Sequence, residues 1–399
     1  MGSLNDSKPE VPHVIFVGTS TGYLRELYRA YIESGFQVTA LIPKGDPLWK
    51  SKKIKRKYLI PRNEGVSFLE FIENEKIFDE LNGWFLWSSL NTLKAIANST
   101  NPFINRQKLL NNLNPKWLKI VGSRTNQIHF FESLKIPCPE SVICKDIEDL
   151  RSFRKPWPAL IKSDFGGSGY GIRDFDTDTV NEIVDQIPRD NFPLIVQKKI
   201  LGTVGHLDAY FEAGTLIFLA YSENVDLPDN HYSYFPSRRY VSEIPSSIVE
   251  YIERAGRQLS LSGPAGIAFM KCINAKEIRF IEFDVNPGIW HHSFSFSGFD
   301  LAGSVSNRMR FSGNRPTQLD VQLYDPVELL RNSIRKRDIK LFYKVICGHK
   351  IEKYGQPMKS EFSDRKFKIR LLKSIFVSKF KFIVRKYLLL IKKTISKTL

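Results

Sequence analysis

Apolar and polar positions near the start of the chain predict a strand, a helix and a second strand. An apolar run opens the segment HVIFVGTSTGYLRELYRAYIESGFQVTALI at 13–42 and is followed by a turn between glycines. Apolar side chains then recur at helical spacing between residues 24 and 31, and another apolar run follows Gly35. This order predicts one βαβ unit, whose GTSTG turn is too loose a pattern to indicate a nucleotide site.

The middle of the chain alternates short apolar runs with glycines and polar positions, which is typical of strands. Such runs occur in PALIK at 158–162, LIVQKKILG at 194–202 and GIAFMKCI at 266–273. The segment LDAYFEAGTLIFLAY at 207–221 predicts a hairpin that turns at Gly214. Together with the βαβ unit, these runs predict an α/β protein.

A lysine followed by closely spaced glycines marks the segment PALIKSDFGGSGYGI at 158–172. The lysine is Lys162, and the glycines are Gly166, Gly167, Gly169 and Gly171. Glycines let backbone N–H groups approach a polyphosphate closely, while a neighbouring lysine adds a point charge. The pattern matches neither GxGxxG nor GxxxxGK[ST], and a plain hairpin connection is the alternative interpretation.

The segment FIEFDVNPGIWHH at 280–292 delivers hard oxygen ligands at the end of a predicted strand. Residues two apart in a strand point to the same face, so Glu282, Asp284 and Asn286 can converge on one site. Carboxylate and amide oxygens suit a Mg²⁺ ion that carries phosphate. The alternative is an edge strand that merely carries polar residues into a Pro-Gly turn.

In this order, the segments resemble the ATP-grasp superfamily of carboxylate–amine ligases, particularly its carbamoyl-phosphate-synthetase-like and D-alanine-D-alanine-ligase-like members. The resemblance covers residues 121–310. Residues 123–141 resemble the helix that opens the ATP-binding half, and 158–172 resemble its lysine strand and flexible glycine loop. Residues 194–202 look like the hinge strand along adenine, and FDVNPG looks like the metal-binding ExNPR motif.

The resemblance implies a set of contacts to ATP and to Mg²⁺ or Mn²⁺. Arg124, Lys162 and the glycine loop would contact the phosphates. The residues that would contact adenine, mostly through the backbone, are Gln197, Lys198, Lys199 and Ile200. Those that would ligate the metal are Glu282, Asp284 and Asn286.

The resemblance also implies the reaction, in which ATP phosphorylates a small-molecule carboxylate and an amine or similar nucleophile attacks the acyl phosphate. Such chemistry needs positioning and charge neutralisation around the transferred phosphoryl group. Two departures from the family pattern favour an alternative, a nucleotide-binding pseudo-enzyme that acts as a membrane-surface binding or scaffold protein. Gly288 stands where the family has a phosphate-holding arginine, and the strand at 266–273 lacks the family's other metal carboxylate. The arginines that could substitute as catalytic residues are Arg238, Arg239 and Arg308.

The domain organisation that follows has three parts. Residues 1–120 would form a Rossmann-like domain, 121–345 a two-lobed ATP-grasp domain, and 346–399 a basic helical tail. The fold class is therefore α/β, with an α+β ATP-grasp domain and a C-terminal basic amphipathic helix.

Most of the net positive charge of the chain is concentrated near the C-terminus. The net charge is +17, but residues 365–399 hold twelve Lys or Arg and no acid, which leaves +5 for the preceding 364 residues. Apolar side chains recur at helical spacing in this tail, which predicts an amphipathic helix that lies on an anionic membrane. Its longest apolar run, at 387–391, is too short to span a bilayer. The alternatives are a helix packed on the protein and a nucleic-acid arm, which the continuous apolar face disfavours.

Two further features bear on partners and compartment. A second basic cluster at 50–57 is expected to be a solvated loop, although it could add to the same preference for an anionic surface. The four cysteines form no CxxC pattern, and the first twelve residues lack a hydrophobic stretch. We therefore expect a cytoplasmic protein, peripheral on the inner face of the membrane.

Overall fold

The computed structural model of the protein describes residues 13–19, 28, 31–32, 35–62, 64–110, 113–166, 172–175, 184, 187–188, 191–225, 237–241, 243–273, 277–285, 322–324, 333, 338, 340–341, 344–345 and 356–357. The chain divides into two compact units, residues 1–322 and 323–399. The boundaries expected at residues 120 and 345 stay predictions.

A four-stranded parallel sheet forms the N-terminal part of the first unit. Its strands are β1 (His13–Val17), β2 (Gln37–Pro43), β3 (Arg56–Ile60) and β4 (Trp84–Trp87), in the order β3-β2-β1-β4. The two strands of the predicted βαβ unit are confirmed as the parallel pair β1 and β2, in which Val14 lies opposite Val38. Of the expected helix between them, Tyr28 and Tyr31 are helical and buried.

Short helices pack on this sheet. They are α1 (Val66–Asn74), α2 (Ile77–Glu80), α3 (Leu90–Asn98) and α4 (Arg106–Leu109), with 3₁₀ helices at Pro47–Lys50 and Pro115–Ile120. Polar side chains fix several of their first turns. Ser89 accepts a hydrogen bond from the backbone N–H of Thr92, and Asn105 accepts one from Lys108.

The second sheet is antiparallel and follows helix α5 (Arg124–Ser133). Its strands are β5 (Ser141–Cys144), β6 (Ala159–Ser163), β7 (Arg173–Phe175) and β8 (Leu194–Lys198), in the order β5-β8-β6-β7. Helix α6 (Ile147–Arg151) connects β5 to β6 and begins at Asp146, whose carboxylate accepts from two backbone N–H groups. Buried side chains such as Leu150, Phe153 and Val196 form the core of this lobe.

The third sheet is antiparallel and carries a polar face. Strands β9 (Gly202–Glu212), β10 (Thr215–Asn224), β11 (Ser237–Val241), β12 (Gly263–Cys272) and β13 (Ile278–Asp284) follow the order β13-β12-β9-β10-β11. In β9, Leu207, Ala209 and Phe211 point into the main apolar core. Helix α7 (Ser246–Leu259) contributes buried residues to that core. The alternate residues of β9 therefore face the other side of the sheet.

The predicted hairpin around Gly214 is confirmed as the β9–β10 pair. Gly214 has a φ of +83°, and a Cβ atom there would lie 3.0 Å from the Gly256 carbonyl oxygen of α7. A side chain at this position would therefore strain the turn and crowd the helix that covers the sheet.

Strand β14 (Gln322–Tyr324), at the start of the second unit, pairs in parallel with β15 (Gln356–Pro357), with Leu323 opposite Gln356. The amphipathic helix expected at 365–399 lies outside the described residues. Among the helices that are described, none is long and apolar enough to cross a bilayer.

Candidate functional site

Asp164, at the end of β6, holds the first turn of α5. Its Oδ1 accepts a hydrogen bond from the Thr125 backbone N–H at 2.7 Å, and both carboxylate oxygens accept from the Ser123 hydroxyl. The Arg124 backbone N–H donates to the Asp164 carbonyl oxygen at 3.1 Å. A buried carboxylate and a serine cap thus fix the start of α5 against the lysine strand.

Arg124 links the glycine loop to the acidic strand. Its Nη1 donates to the Ser163 carbonyl at 2.9 Å, and its Nη2 donates to the Gly166 carbonyl at 2.7 Å. The same Nη2 lies 4.0 Å from Glu282 Oε1. The guanidinium is therefore buried and held from two sides, beside the start of the loop that was predicted to cover phosphates.

Lys162 points the same way from β6 and is also buried. Its ammonium donates to Gln197 Oε1 at 2.6 Å, and Gln197 Nε2 donates to the Ser141 hydroxyl at 3.0 Å. The pKa of Lys162 is lowered to about 7, chiefly by burial and secondly by the nearby Arg124 cation, while Glu282 opposes both. A lysine that is costly to charge in this way gains most from an anionic ligand.

Glu282 and Asp284 stand two apart on β13 and share a face, as predicted. Burial raises the pKa of Asp284 well above its ordinary value, the Glu282 carboxylate raises it further, and Arg124 opposes the shift. Two close carboxylates of this kind are stabilised by a bound cation, so their chemistry fits a hard metal ion such as Mg²⁺.

Gln127 connects α5 to this acidic strand, although no sequence pattern points to it. Its Nε2 donates to the carbonyl oxygens of Phe283 and Ile120, and its Oε1 accepts from the Phe283 N–H at 3.1 Å. Phe283 lies between the two acids, and β13 is an edge strand of its sheet among the described strands. Together with the pairing of β13 to β12, this buried carboxamide holds Glu282 and Asp284 in position relative to Arg124.

The third sheet extends the polar face beyond β13. The register places Asp208 of β9 and Asp284 of β13 on either side of Gly266, and His206 and Glu282 on either side of Ala268. Small residues on β12 thus leave an open floor between two rows of polar side chains. Sequence reasoning recognised that β12 lacks an acid here, but it did not reveal this alignment across three strands.

Arg238 and Tyr240 approach Asp208 from β11. Arg238 Nη1 lies 3.7 Å from Asp208 Oδ2, and the Tyr240 hydroxyl donates to the same oxygen at 3.3 Å. Burial lowers the pKa of the neighbouring His206 well below its ordinary value, and the Arg238 cation adds to this effect. His206 is therefore a neutral imidazole at neutral pH.

The three arginines proposed as substitutes have different positions. Arg238 is buried on the polar face. Arg239, the next residue in the strand, is exposed on the other face of the sheet, where it is the register partner of Glu223 in β10. Arg308 lies outside the described residues, as do Gly167, Gly169, Asn286 and Gly288.

At the hinge, the backbone N–H groups of Lys198 and Lys199 donate to the carbonyl oxygens of Glu140 and Pro158, both at 2.8 Å. The Lys199 ammonium pairs with Asp174 at 2.6 Å. Adenine contacts at these two residues would therefore use their carbonyl groups.

No group of three or more His, Cys, Asp or Glu side chains within the described ranges is arranged to hold a metal ion by itself. Mg²⁺ commonly takes only one or two protein carboxylates and completes its shell with phosphate oxygens and water. The pair Glu282 and Asp284 is consistent with that mode of binding.

Comparisons with known proteins identify the fold. No protein-family model and no curated protein matches the sequence. Among solved structures, an N5-carboxyaminoimidazole ribonucleotide synthetase in complex with ADP superposes with a TM-score of 0.60 at 14% identity, over 82% of this chain and 86% of that one. An L-amino acid ligase from Bacillus licheniformis gives a TM-score of 0.54 at 12% identity, over 76% and 74% of the two chains.

The chain has the ATP-grasp fold. The biotin carboxylase domain of the Hydrogenobacter thermophilus 2-oxoglutarate carboxylase, in complex with MgADP, ADP and bicarbonate, superposes with a TM-score of 0.55 at 15% identity, over 75% and 70% of the chains. The resemblance inferred from the order of motifs is thereby confirmed at the level of fold, as is the α/β fold class.

Proposed function

We propose that the protein is an ATP- and Mg²⁺-dependent ligase that activates a small-molecule carboxylate as an acyl phosphate for attack by an amine or a similar nucleophile. The observation that carries this proposal is the convergence of Arg124, Lys162 and the Glu282–Asp284 pair, which come from three separate elements. Structures with the same fold have been determined with ADP and with MgADP and bicarbonate, which supports the class of ligands.

In this proposal, Arg124 and Lys162 neutralise phosphate oxygens. The Arg124 cation lies close enough to disfavour the charge on Lys162, and a triphosphate would relieve that repulsion. Gly166 and the glycines at 167 and 169 would bring backbone N–H groups to the same phosphates. Gln197 keeps the Lys162 ammonium directed toward the site by accepting its hydrogen bond.

Glu282 and Asp284, together with Asn286, would hold Mg²⁺ or Mn²⁺. When bound, the metal ion would neutralise phosphate charge during phosphoryl transfer. Arg124 faces the same carboxylates and keeps part of their charge compensated when no cation is present. Adenine would lie along the hinge at Gln197, Lys198, Lys199 and Ile200.

Arg238 is the best placed of the three substitute arginines, because it is buried on the polar face together with Asp208. Its pairing with Asp208 would hold the guanidinium over the floor formed by Gly266 and Ala268. There it would be available to the transferred phosphoryl group in place of the arginine that Gly288 replaces.

The test is ADP release with ATP, Mg²⁺ and a panel of carboxylates, each with and without an amine. We expect at least one carboxylate to stimulate ADP release, and Asp284→Asn to abolish the stimulated rate while the fold is kept, because a hard cation site depends on oxygen charge. An exposed change such as Glu148→Gln is the matched control. Unchanged ADP release in Asp284→Asn would contradict the metal assignment.

One observation favours a second candidate, a nucleotide-binding scaffold without catalysis. Ala268 lies opposite Glu282 in the register, so the strand that carries the family's other metal carboxylate offers a methyl group there. A scaffold would bind ATP analogues but release no ADP with any carboxylate in the panel. That result, with intact binding, would replace the ligase proposal.

We further propose a cytoplasmic location with the tail at 365–399 on the inner face of the membrane. Twelve cations and no acid in the tail support attraction to anionic lipids.

A further inference from the structure

Positive charge is concentrated in a second segment, which belongs to the N-terminal sheet. Residues 44–62, called the basic segment below, hold eight Lys or Arg and one acid, Asp46. Outside this segment and the tail, the chain has a net charge of −2, although the whole carries +17. Asp46 is buried and its carboxylate accepts a hydrogen bond from the Leu48 N–H at 2.9 Å, so this acid is not part of the exposed surface.

The basic segment has a defined shape. Leu48 and Ile54 are each 2% exposed and anchor the connection between β2 and β3 in the core. The Lys57 ammonium donates to the carbonyl oxygens of Trp49 and Ser51, which ties the 3₁₀ helix to the strand. The remaining cations are exposed at Lys44, Lys50, Lys52, Lys53, Lys55, Arg56 and Arg62.

Apolar side chains are exposed among these cations. Trp49 is 41% exposed, Tyr58 36% and Leu59 55%, and they make up three of the eight large apolar side chains that are exposed in the described part of the chain. Trp and Tyr rings favour the interface between water and lipid, and an aliphatic side chain favours the acyl region. Leu59 follows Lys57 by two residues in β3, so it points to the side on which the Lys57 ammonium contacts the Trp49 carbonyl, whereas Tyr58 points to the other side. Basic groups are therefore combined with Trp49 and Leu59 on one side of this edge of the sheet.

We propose that the basic segment is a docking surface for anionic lipid bilayers, with Trp49 and Leu59 entering the interface and the lysines contacting headgroups. Charge complementarity selects an anionic partner. The exposed aliphatic Leu59 favours lipid over nucleic acid, because bases stack on aromatic rings and not on leucine. Protection of the edge strand β3 by cations would explain Arg56, but not the lysines and Trp49 of the preceding loop.

This surface does not depend on the ligase proposal, since it shares no residue with the nucleotide site. It also does not depend on the tail. Stable attachment to membranes commonly needs two weak signals, and a folded basic surface would supply one of them.

The test uses the full-length protein and vesicles of phosphatidylcholine with or without phosphatidylserine. A triple variant, K52E/K53E/K55E, reverses three exposed lysines of the segment. The control variant, K76E/K119E/K145E, makes the same charge change at exposed sites elsewhere. Each lysine near an anionic surface contributes roughly a fivefold factor in partitioning, so we expect at least about a tenfold loss for the triple variant. The control should lose much less.

Binding should also fall with salt and should be absent with phosphatidylcholine alone. Equal losses in the two triple variants, or no binding of the unaltered protein to phosphatidylserine vesicles, would overturn the proposal. So would binding of a short single-stranded RNA that depends on the same three lysines while vesicles are not bound.

A second measurement reports on insertion. Brominated phospholipids quench tryptophan fluorescence at close range, so vesicles that contain them should quench the unaltered protein more than Trp49→Phe, which keeps an apolar ring at the same position. Equal quenching of the two proteins would show that Trp49 does not enter the lipid. The ATP-analogue affinity of every variant should be unchanged, which separates this outcome from failure of the nucleotide proposal.

Discussion

Lys162 is the side chain on which nucleotide binding should depend most directly. Lys162→Ala removes a buried cation that has one neutral hydrogen-bond partner, Gln197, in the structure. A charge-assisted contact to phosphate contributes about 1.5–3 kcal/mol, so we expect a roughly 10- to 150-fold loss of affinity for an ATP analogue. Calorimetric titration measures it.

The matched control is Lys155→Ala, which removes an exposed lysine that pairs with Glu140 at 3.2 Å. Its affinity should match that of the unaltered protein. If Lys162→Ala also keeps full affinity, Lys162 does not contact the nucleotide.

The lowered pKa of Lys162 predicts that nucleotide binding takes up a proton. With a pKa of about 7, the group is largely neutral in the free protein above that pH. Phosphate charge favours the ammonium form and raises the pKa, so binding at about pH 8 should consume up to one proton, and affinity should fall as the pH rises above 7. Below about pH 6 the group is already charged, and no uptake is expected from it.

Titrations in buffers of different ionisation enthalpy measure this uptake. The buffer dependence of the binding enthalpy should be present at about pH 8 and should disappear in Lys162→Met. A buffer dependence that persists in the variant would assign the proton to another group.

At the scale of elements, the site depends on how α5 meets β13. Gln127→Met keeps the length and helix propensity of the side chain but removes its hydrogen bonds to the N–H and carbonyl of Phe283 and to the Ile120 carbonyl, which still accepts from the Ser123 N–H. We expect a loss of about 2–4 kcal/mol in the free energy of unfolding, measured by urea denaturation. The affinity for an ATP analogue should fall as well, because Arg124 lies one turn before Gln127.

His129→Ala, an exposed change on the same helix, is the control for the Gln127 variant. It should alter neither stability nor affinity substantially. Equal stability of Gln127→Met and the unaltered protein would mean that water or a rearranged side chain satisfies Phe283.

For the molecule as a whole, the charge distribution predicts that the tail contributes to membrane binding and that ATP binding belongs to the residues upstream of it. Removal of the tail after residue 364 takes away twelve cations and should weaken adsorption to anionic vesicles, while ATP binding is unaffected because every proposed nucleotide contact lies upstream. Co-sedimentation of both forms at low and high salt measures it. Equal pelleting of the two forms would mean that the tail does not contribute to membrane binding and that any binding comes from the folded part alone.

Much of the local chemistry of this protein can be predicted from short sequence segments. Lys162 with its glycines, the acids at 282 and 284, the hairpin at Gly214 and the strands of the βαβ unit follow from spacing within short segments, because strand alternation and turn preferences are local properties. The order of those segments also indicated the ATP-grasp fold that the structural comparisons confirm.

Which of these groups lie in contact depends on the folding of distant segments against one another. The hydrogen bonds between Gln127 and Phe283 join residues 156 positions apart. The pairing of Arg238 with Asp208 depends on the register of three strands. Arg238 and Arg239 are adjacent in the sequence, and only the register of β11 shows that Arg238 lies on the buried face and Arg239 on the exposed one. Contacts of this kind depend on long-range packing, in which a shift of one residue would exchange the faces of a strand.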